Sequence, residues 1–329
     1  MTIVTSAPTR IDLAGGTIDI WPLYLFHPGA QTINAAISLR AQARITTRPD
    51  ERIVIQSEDT ATTVEVDRWQ DLRNERRLRL LSLLVHFFEG HGITLTTTSD
   101  SPAGAGIAGS SALNVAVCAA LADWRRTHYE PEALLQIAMN VEAQAINVPT
   151  GLQDYRPALY GGIAALELEV DGIRRVPLSV DPKELQSRLV LCYTGEPRNS
   201  GTNNWEITKK HLDGDRHIFD CFERIRDTAA QMREALAAQN WDGVGAAIAE
   251  EWQNRKRLAP GVTTPAIEQL IARATKAGAT AAKVCGAGGG GCLFCYGPPE
   301  RRSDIAAALA AGGATILDYS FEQHGLVRG

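Results

Sequence analysis

The amino-acid sequence predicts an α+β protein of two domains, and three observations carry that prediction. Its 329 residues are more than one hydrophobic core usually serves, so a division into two is expected. The first half holds strand-like stretches rich in Ile, Val and Thr, followed by two helix-like ones. The second half closes with two short strands joined by a glycine run, then a helix and a further strand. That order suits a split βαβ, ferredoxin-like layer better than a doubly wound sheet.

Taken in order, strands are expected at residues 2–6, 32–38, 41–47, 53–57 and 93–98. A helix over 110–126 should be opened by a Ser cap, and another over 131–147 has Pro131 in its first turn, where a missing N–H costs nothing. A strand over 163–170 runs into the turn signal of Asp171 and Gly172. Pro177 and Pro182 then mark a boundary, dividing the chain into domains at 1–182 and 183–329. Beyond it come a strand at 189–194, helices between 218 and 257, and a helix capped by Thr264 and Pro265. The closing layer is a strand at 280–285, a glycine loop, a strand at 292–296, a helix at 303–311 and a strand at 315–321.

Composition narrows the function. Lys plus Arg number 33 against 38 Asp plus Glu, a net charge of -5 with no basic stripe, which argues against nucleic acid as a partner. No apolar run approaches the roughly 20 residues of a membrane helix. The opening MTIVTSAPTR lacks the charged-then-apolar pattern of a signal peptide, so a cytoplasmic globular protein is expected. Cys292 and Cys295 form a CxxC, but no second pair completes four zinc ligands, and CLFCY reads as a buried strand.

Two glycine-rich stretches stand out: SPAGAGIAGSSAL from Ser101, between a strand and a helix, and GAGGGG from Gly286, between two strands. Gly104, Gly106 and Gly109 match GxGxxG, as do Gly286, Gly288 and Gly291. A dinucleotide site would need an acidic residue ending the next strand, whereas Asp123 at that spacing lies in a helix. A Walker A loop fails because Ser110 stands where Lys is required. What remains is a backbone that can approach an anion closely, leading into a helix N-terminus at Ser110 and Ser111. A tight strand-to-helix turn would look the same in a single cluster.

Two carboxylates draw notice. Glu142 falls beside the apolar stripe of Leu134, Leu135, Ala138, Val141, Ala145 and Ile146, where a charge is costly unless paired, although a partly exposed edge would accommodate it equally. Asp154 lies in PTGLQDYRPALYGG, a setting that suits a catalytic acid and a surface turn alike. Arg10, Asp12 and Asp19, around Gly15 and Gly16, are ambiguous in the same way.

Together these stretches resemble the GHMP kinase superfamily, which phosphorylates small alcohols. APTRIDLAGGTID resembles its first motif, SPAGAGIAGSSAL its second, the phosphate loop, and KVCGAGGGGCLFCY its third. Within the superfamily, GLQDYRPALYGG, CYTGEPRNSG and KRLAPGVTTPAIEQL resemble the sugar kinases of the D-glycero-α-D-manno-heptose 7-phosphate 1-kinase type. The resemblance implies a ribosomal protein S5 domain 2-like N-terminal domain joined to a ferredoxin-like one, with ATP and Mg²⁺ as cofactors. It implies that Gly104, Ala105, Gly106, Ala108, Gly109, Ser110 and Ser111 bind the nucleotide, and that Ser110 and Glu142 hold the metal. It further implies Asp154 and Arg10 as catalytic residues, with Asp19, Gly288 and Gly289 at the acceptor. Ala108 stands where the family has a glycine, which argues against a strongly positive φ there. Gly109 replaces a family Ser, and Gly16–Thr17 replace the Glu-His of galactokinases, arguing against galactose. Arg156, Arg198 and Lys209 are candidates to clamp a phosphorylated sugar.

The expected activity is therefore transfer of a γ-phosphate to a sugar or sugar-phosphate hydroxyl, the anomeric one. A mevalonate-type kinase and a catalytically silent ligand sensor on the same fold are the alternatives. The expected partner is the small-molecule acceptor, with no nucleic acid, no membrane, and a homodimer left open.

Overall fold

The computed structural model describes residues 1–197 and 200–329, the side chains of 200–203 excepted. Its first sheet grows from a long ribbon, β1 (Thr2–Ala14) antiparallel to β2 (Gln31–Thr47). β2 is one strand where two were expected, because β1 continues pairing with it across a register shift between Pro8 and Thr9. β3 (Ile53–Ser57) pairs in parallel with β5 (Ile93–Ser99) and antiparallel with β4 (Thr62–Val66). One half of β2 holds β5 and the other holds β6 (Ile163–Glu169), which turns back into β7 (Gly172–Pro177). Four helices cover the β5 side: α1 (Arg79–Phe87), α2 (Gly109–Trp124), α3 (Pro131–Ile146) and α4 (Tyr155–Tyr160). α2 is apolar almost all round and is the buried centre of that layer, with Val115, Ala116, Ala119 and Ala120 fully covered.

The chain crosses over between Pro177 and Pro182 into α5 (Pro182–Ser187), whose cap Asp181 accepts from the Lys183 and Glu184 N–H groups. The second sheet is antiparallel, in the order β11 (Thr315–Ile316), β8 (Leu189–Tyr193), β10 (Cys292–Tyr296), β9 (Ala281–Val284). α6 (Ser200–Leu212), α7 (Arg216–Ala237) and α8 (Trp241–Leu258) precede α9 (Pro265–Lys276), which the Thr264 hydroxyl caps as expected. α10 (Arg302–Ala311) packs with α9 over one face of the sheet. The other face shares a core with the first sheet: Phe294, Leu189, Met232 and Ile248 cluster with Ile11, Leu13 and Ile33.

Two expectations need correction here. The strand expected over 315–321 pairs only at Thr315 and Ile316. The chain then leaves for the first sheet, where the Ser38 N–H donates to Ser320 O (2.8 Å), Phe321 bridges Ile37, and β12 (Val327–Arg328) pairs with Thr5 and Ser6 of β1. The Ser cap expected on α2 is absent: the cap position is Ala108, and the nearby hydroxyls point elsewhere. In β10 the CxxC places Cys292 toward the shared core and Cys295 toward α9 and α10, on opposite faces, so the pair cannot chelate one ion.

Candidate active site

The loop before α2 is tightly wound, turning into the helix through several residues of positive φ. Gly104 (φ 67°), Gly106 (φ 79°) and Ala108 (φ 62°) all lie in the left-handed region, so the alanine adopts the positive φ that its side chain argued against. The second glycine loop supports this one from behind. Cys292 N–H donates to Ala105 O (2.6 Å), and a Cβ on Gly291 would stand 2.6 Å from the same oxygen, so only glycine fits there. A glycine-rich strand-to-helix loop with no side-chain cap on the helix that follows leaves N–H groups of the kind that can bind an anion.

Beside it, the misplaced carboxylate finds its partners. Glu142, buried on α3, accepts from Ser110 Oγ (2.8 Å), Ser111 Oγ (3.2 Å), Asn114 Nδ2 (3.4 Å) and Tyr155 Oη (2.6 Å). Burial raises its pKa, while the hydrogen bonds from Tyr155 and Ser110 lower it. A hydroxyl and a carboxylate together at the rim of an anion site are hard oxygen donors, the kind that hold Mg²⁺ with substrate phosphates completing its shell. No cluster of three His, Cys, Asp or Glu that could hold a metal exists among the described residues, so such an ion would depend on those phosphates.

A cleft opens next to the loop, lined by Arg10, Thr17, Asp19, Ile20, Gly151, Gln153, Asp154, Asn204, Gly286 and Ala287. Arg10, on β1 and 1% exposed, donates through Nε to Asp154 Oδ1 (3.1 Å) and through Nη2 to the same oxygen. Its Nη1 donates to Gly106 O (3.0 Å) in the glycine-rich loop before α2. One guanidinium thus links the cleft carboxylate to the glycine-rich loop. Asp19 accepts from the Gln153 N–H (2.9 Å), and burial with the Asp154 charge nearby pushes its pKa up to about 6. A Cβ on Gly151 would come within 2.5 Å of its Oδ2, so the glycine keeps that carboxylate in place.

Of the expected residues, Ser110 and Ser111 at the start of α2 meet Glu142, and Asp154, Arg10 and Asp19 share the cleft. Gly288 and Gly289, expected at the acceptor, do not line it; the Gly289 N–H donates to Val262 O (2.8 Å), and Gly286 and Ala287 face the cleft instead. Arg156 is turned away, donating to Glu132 Oε2 (2.6 Å) and Leu152 O (3.1 Å). Lys209 is exposed on α6, and Arg198 lies outside the described residues.

Behind the cleft lies a network that the sequence reading missed. Lys283 of β9, fully buried, pairs with Asp12 of β1 (3.2 Å) and Glu251 of α8 (2.5 Å). Glu251 also accepts from the Gly15 N–H (2.6 Å), and Arg255 sits 3.9 Å from Asp12 while donating to Gly286 O. Lys283 and the neighbouring cations hold the Asp12 carboxyl below its usual range against the opposing effect of burial, which is the largest single influence on it. A lysine inside an apolar strand was the available signal, because such a charge must find a partner.

Comparison with known proteins decides the family. Residues 76–162 match the GHMP kinases N terminal domain, and 232–315 match the GHMP kinases C terminal domain. The chain belongs to the GHMP kinases. It is accordingly a phosphotransferase with an alcohol group as acceptor, in a family whose phosphate donor is ATP. This GHMP kinase is 28% identical over 337 aligned positions to the D-glycero-alpha-D-manno-heptose 7-phosphate kinase of Campylobacter jejuni, covering 99% of this chain and 98% of that one. Among solved structures it is similar to a D-glycero-D-manno-heptose 1-phosphate kinase from Bacteroides thetaiotaomicron (TM-score 0.80, 24% identity, 99% and 98% of the two chains). A galactokinase from Lactococcus lactis complexed with galactose shares the fold (TM-score 0.81, 18% identity, 99% and 95%).

Proposed function

We propose that this GHMP kinase, with Mg²⁺, phosphorylates a hydroxyl of a sugar or sugar phosphate, in its most specific form the anomeric hydroxyl of a heptose 7-phosphate. The observation that carries the reading is the buried Asp19 carboxylate in the cleft beside Asp154. A carboxylate can accept from two adjacent hydroxyls, and an acceptor lacking them would leave it unpaired at considerable cost. The similarity to a heptose 7-phosphate kinase along nearly the whole chain supports the same substrate class.

Catalysis of this kind is mainly positioning and charge neutralisation. Asp154 accepts the proton of the attacking hydroxyl, and Arg10 fixes both that carboxylate and the Gly106 carbonyl, setting the acceptor against the phosphate loop. The loop's N–H groups and the N-terminus of α2 bind the phosphate oxygens. Ser110 and Glu142 would hold Mg²⁺, which when bound neutralises charge on the transferring group.

The deciding experiment measures ATP consumption with heptose 7-phosphate, free hexoses, mevalonate and homoserine. Turnover with a sugar, together with an Asp154→Asn variant that keeps MgATP-dependent thermal protection but loses about 100-fold or more in kcat, is the expected result. Efficient use of mevalonate or homoserine with no sugar would sink the acceptor assignment. Binding without turnover across the panel would favour a sensor.

A further inference from the structure

We propose that Gln153 and Asn204 determine acceptor specificity by receiving hydrogen bonds from hydroxyls of a polyol, an inference that rests on the sugar-kinase reading above. Gln153 is 5% exposed, and its side-chain Oε1 is buried with no hydrogen-bond partner. Asn204 Oδ1 is buried and without a partner as well, and both residues line the cleft that holds Asp19 and Asp154. Buried carbonyl oxygens are rarely left without a donor, because each forfeits its hydration for nothing. Two in one cleft, beside a buried carboxylate, make a wall of acceptors. Arg10 is engaged by Asp154 and Gly106, and the Arg156 Nη atoms by Glu132 and Leu152, while Arg255 Nη1, itself without a hydrogen-bond partner, lies beside Gly16, where Gln153 turns its Nε2 rather than its Oε1.

Such a wall takes a ligand that brings protons. Sugar hydroxyls supply them without charge, whereas a phosphoryl group brings none and is repelled by Asp19. A phosphate on the acceptor therefore projects away from these three residues. Gln153 is fixed because its own N–H donates to Asp19. Asn204 comes from α6, whose far end is tied down where His211 Nε2 and His27 Nε2 share a hydrogen bond of 2.9 Å. The two oxygens thus approach the acceptor from opposite halves of the molecule.

The test compares wild type with Gln153→Met and Asn204→Leu on whichever of heptose 7-phosphate, D-mannose, L-fucose and D-galactose is used best, and on its monodeoxy analogues. Each variant should raise the acceptor KM about 10-fold, leave the KM for ATP unchanged, and lose wild-type discrimination against one deoxy position. Asn204→Asp, which keeps an acceptor oxygen, should retain that discrimination. Unchanged acceptor KM and unchanged deoxy discrimination in both variants, with sugar turnover intact, would overturn the proposal while leaving the kinase assignment standing. A wild type that uses homoserine and no sugar fails the functional reading first, and with it this one.

Discussion

On the proposed sugar-kinase reading, Asp19 would serve binding at the expense of folding. Its carboxyl, near 3.9 in an unfolded chain, is pushed up to about 6 by burial and by Asp154. Between those values the folded state binds the extra proton, so the stability that protonated Asp19 contributes is present below pH 4 and lost as pH rises through 6. Asp19→Asn should therefore gain about 1 kcal/mol relative to wild type between pH 5 and pH 8, while its acceptor KM rises and its KM for ATP stays put. Urea unfolding at the two pH values measures the first effect, and an identical stability difference at both would refute the assigned environment. In wild type the acceptor KM should rise as pH falls below 6, because a protonated Asp19 accepts fewer hydroxyl hydrogen bonds.

At the scale of elements, the turn from the glycine-rich loop into α2 holds an alanine where the backbone favours glycine. A residue with a Cβ pays about 1–2 kcal/mol in the left-handed region, and glycine's greater freedom in the unfolded chain returns only about 0.4–1. Ala108→Gly should thus raise Tm by about 1–3 °C and leave kcat within twofold; a fall in Tm would mean the methyl group packs better than its backbone suffers. Legibility varied in the same region. The apolar stripe of α3 made Glu142 visible, and the pattern CLFCY located β10 to the residue. α6, with the sequence SGTNNWEITKKHL, has too few apolar positions to show a helical period, so Asn204 went unnoticed. The short strands β4 and β7 and the nine-residue α1 were missed because brief elements borrow their stability from neighbours that local pattern does not reveal. The Asp12–Lys283–Glu251 network joins residues far apart in the chain, and no spacing rule links them.

At the scale of the molecule, that network ties the first sheet to the second beneath the active site. Removing its central cation leaves two buried carboxylates with only Arg255 at 3.9 Å and the Gly15 and Gly286 N–H groups to offset them, so Lys283→Met should cost about 3–5 kcal/mol. Adding Glu251→Gln should restore part of the loss, since one stranded charge is removed with its partner. Guanidinium unfolding of the single and double variants measures both, and strictly additive losses would show that the groups do not act together. The return of residues 320–328 to β1 and β2 has a different consequence, for the order in which the protein is made. A ribosome releases the chain from one end, so the strand that finishes the first sheet appears only after the rest of both sheets. Until then the nascent protein already carries its glycine-rich loop, Glu142, Asp154 and Lys283, yet Ser6 lacks the partner on its second side and the Ser38 N–H lacks Ser320 O. A ribosome that stopped before Ser320 would release a molecule with an open sheet edge, which is a target for neighbouring chains or proteases rather than a shorter enzyme.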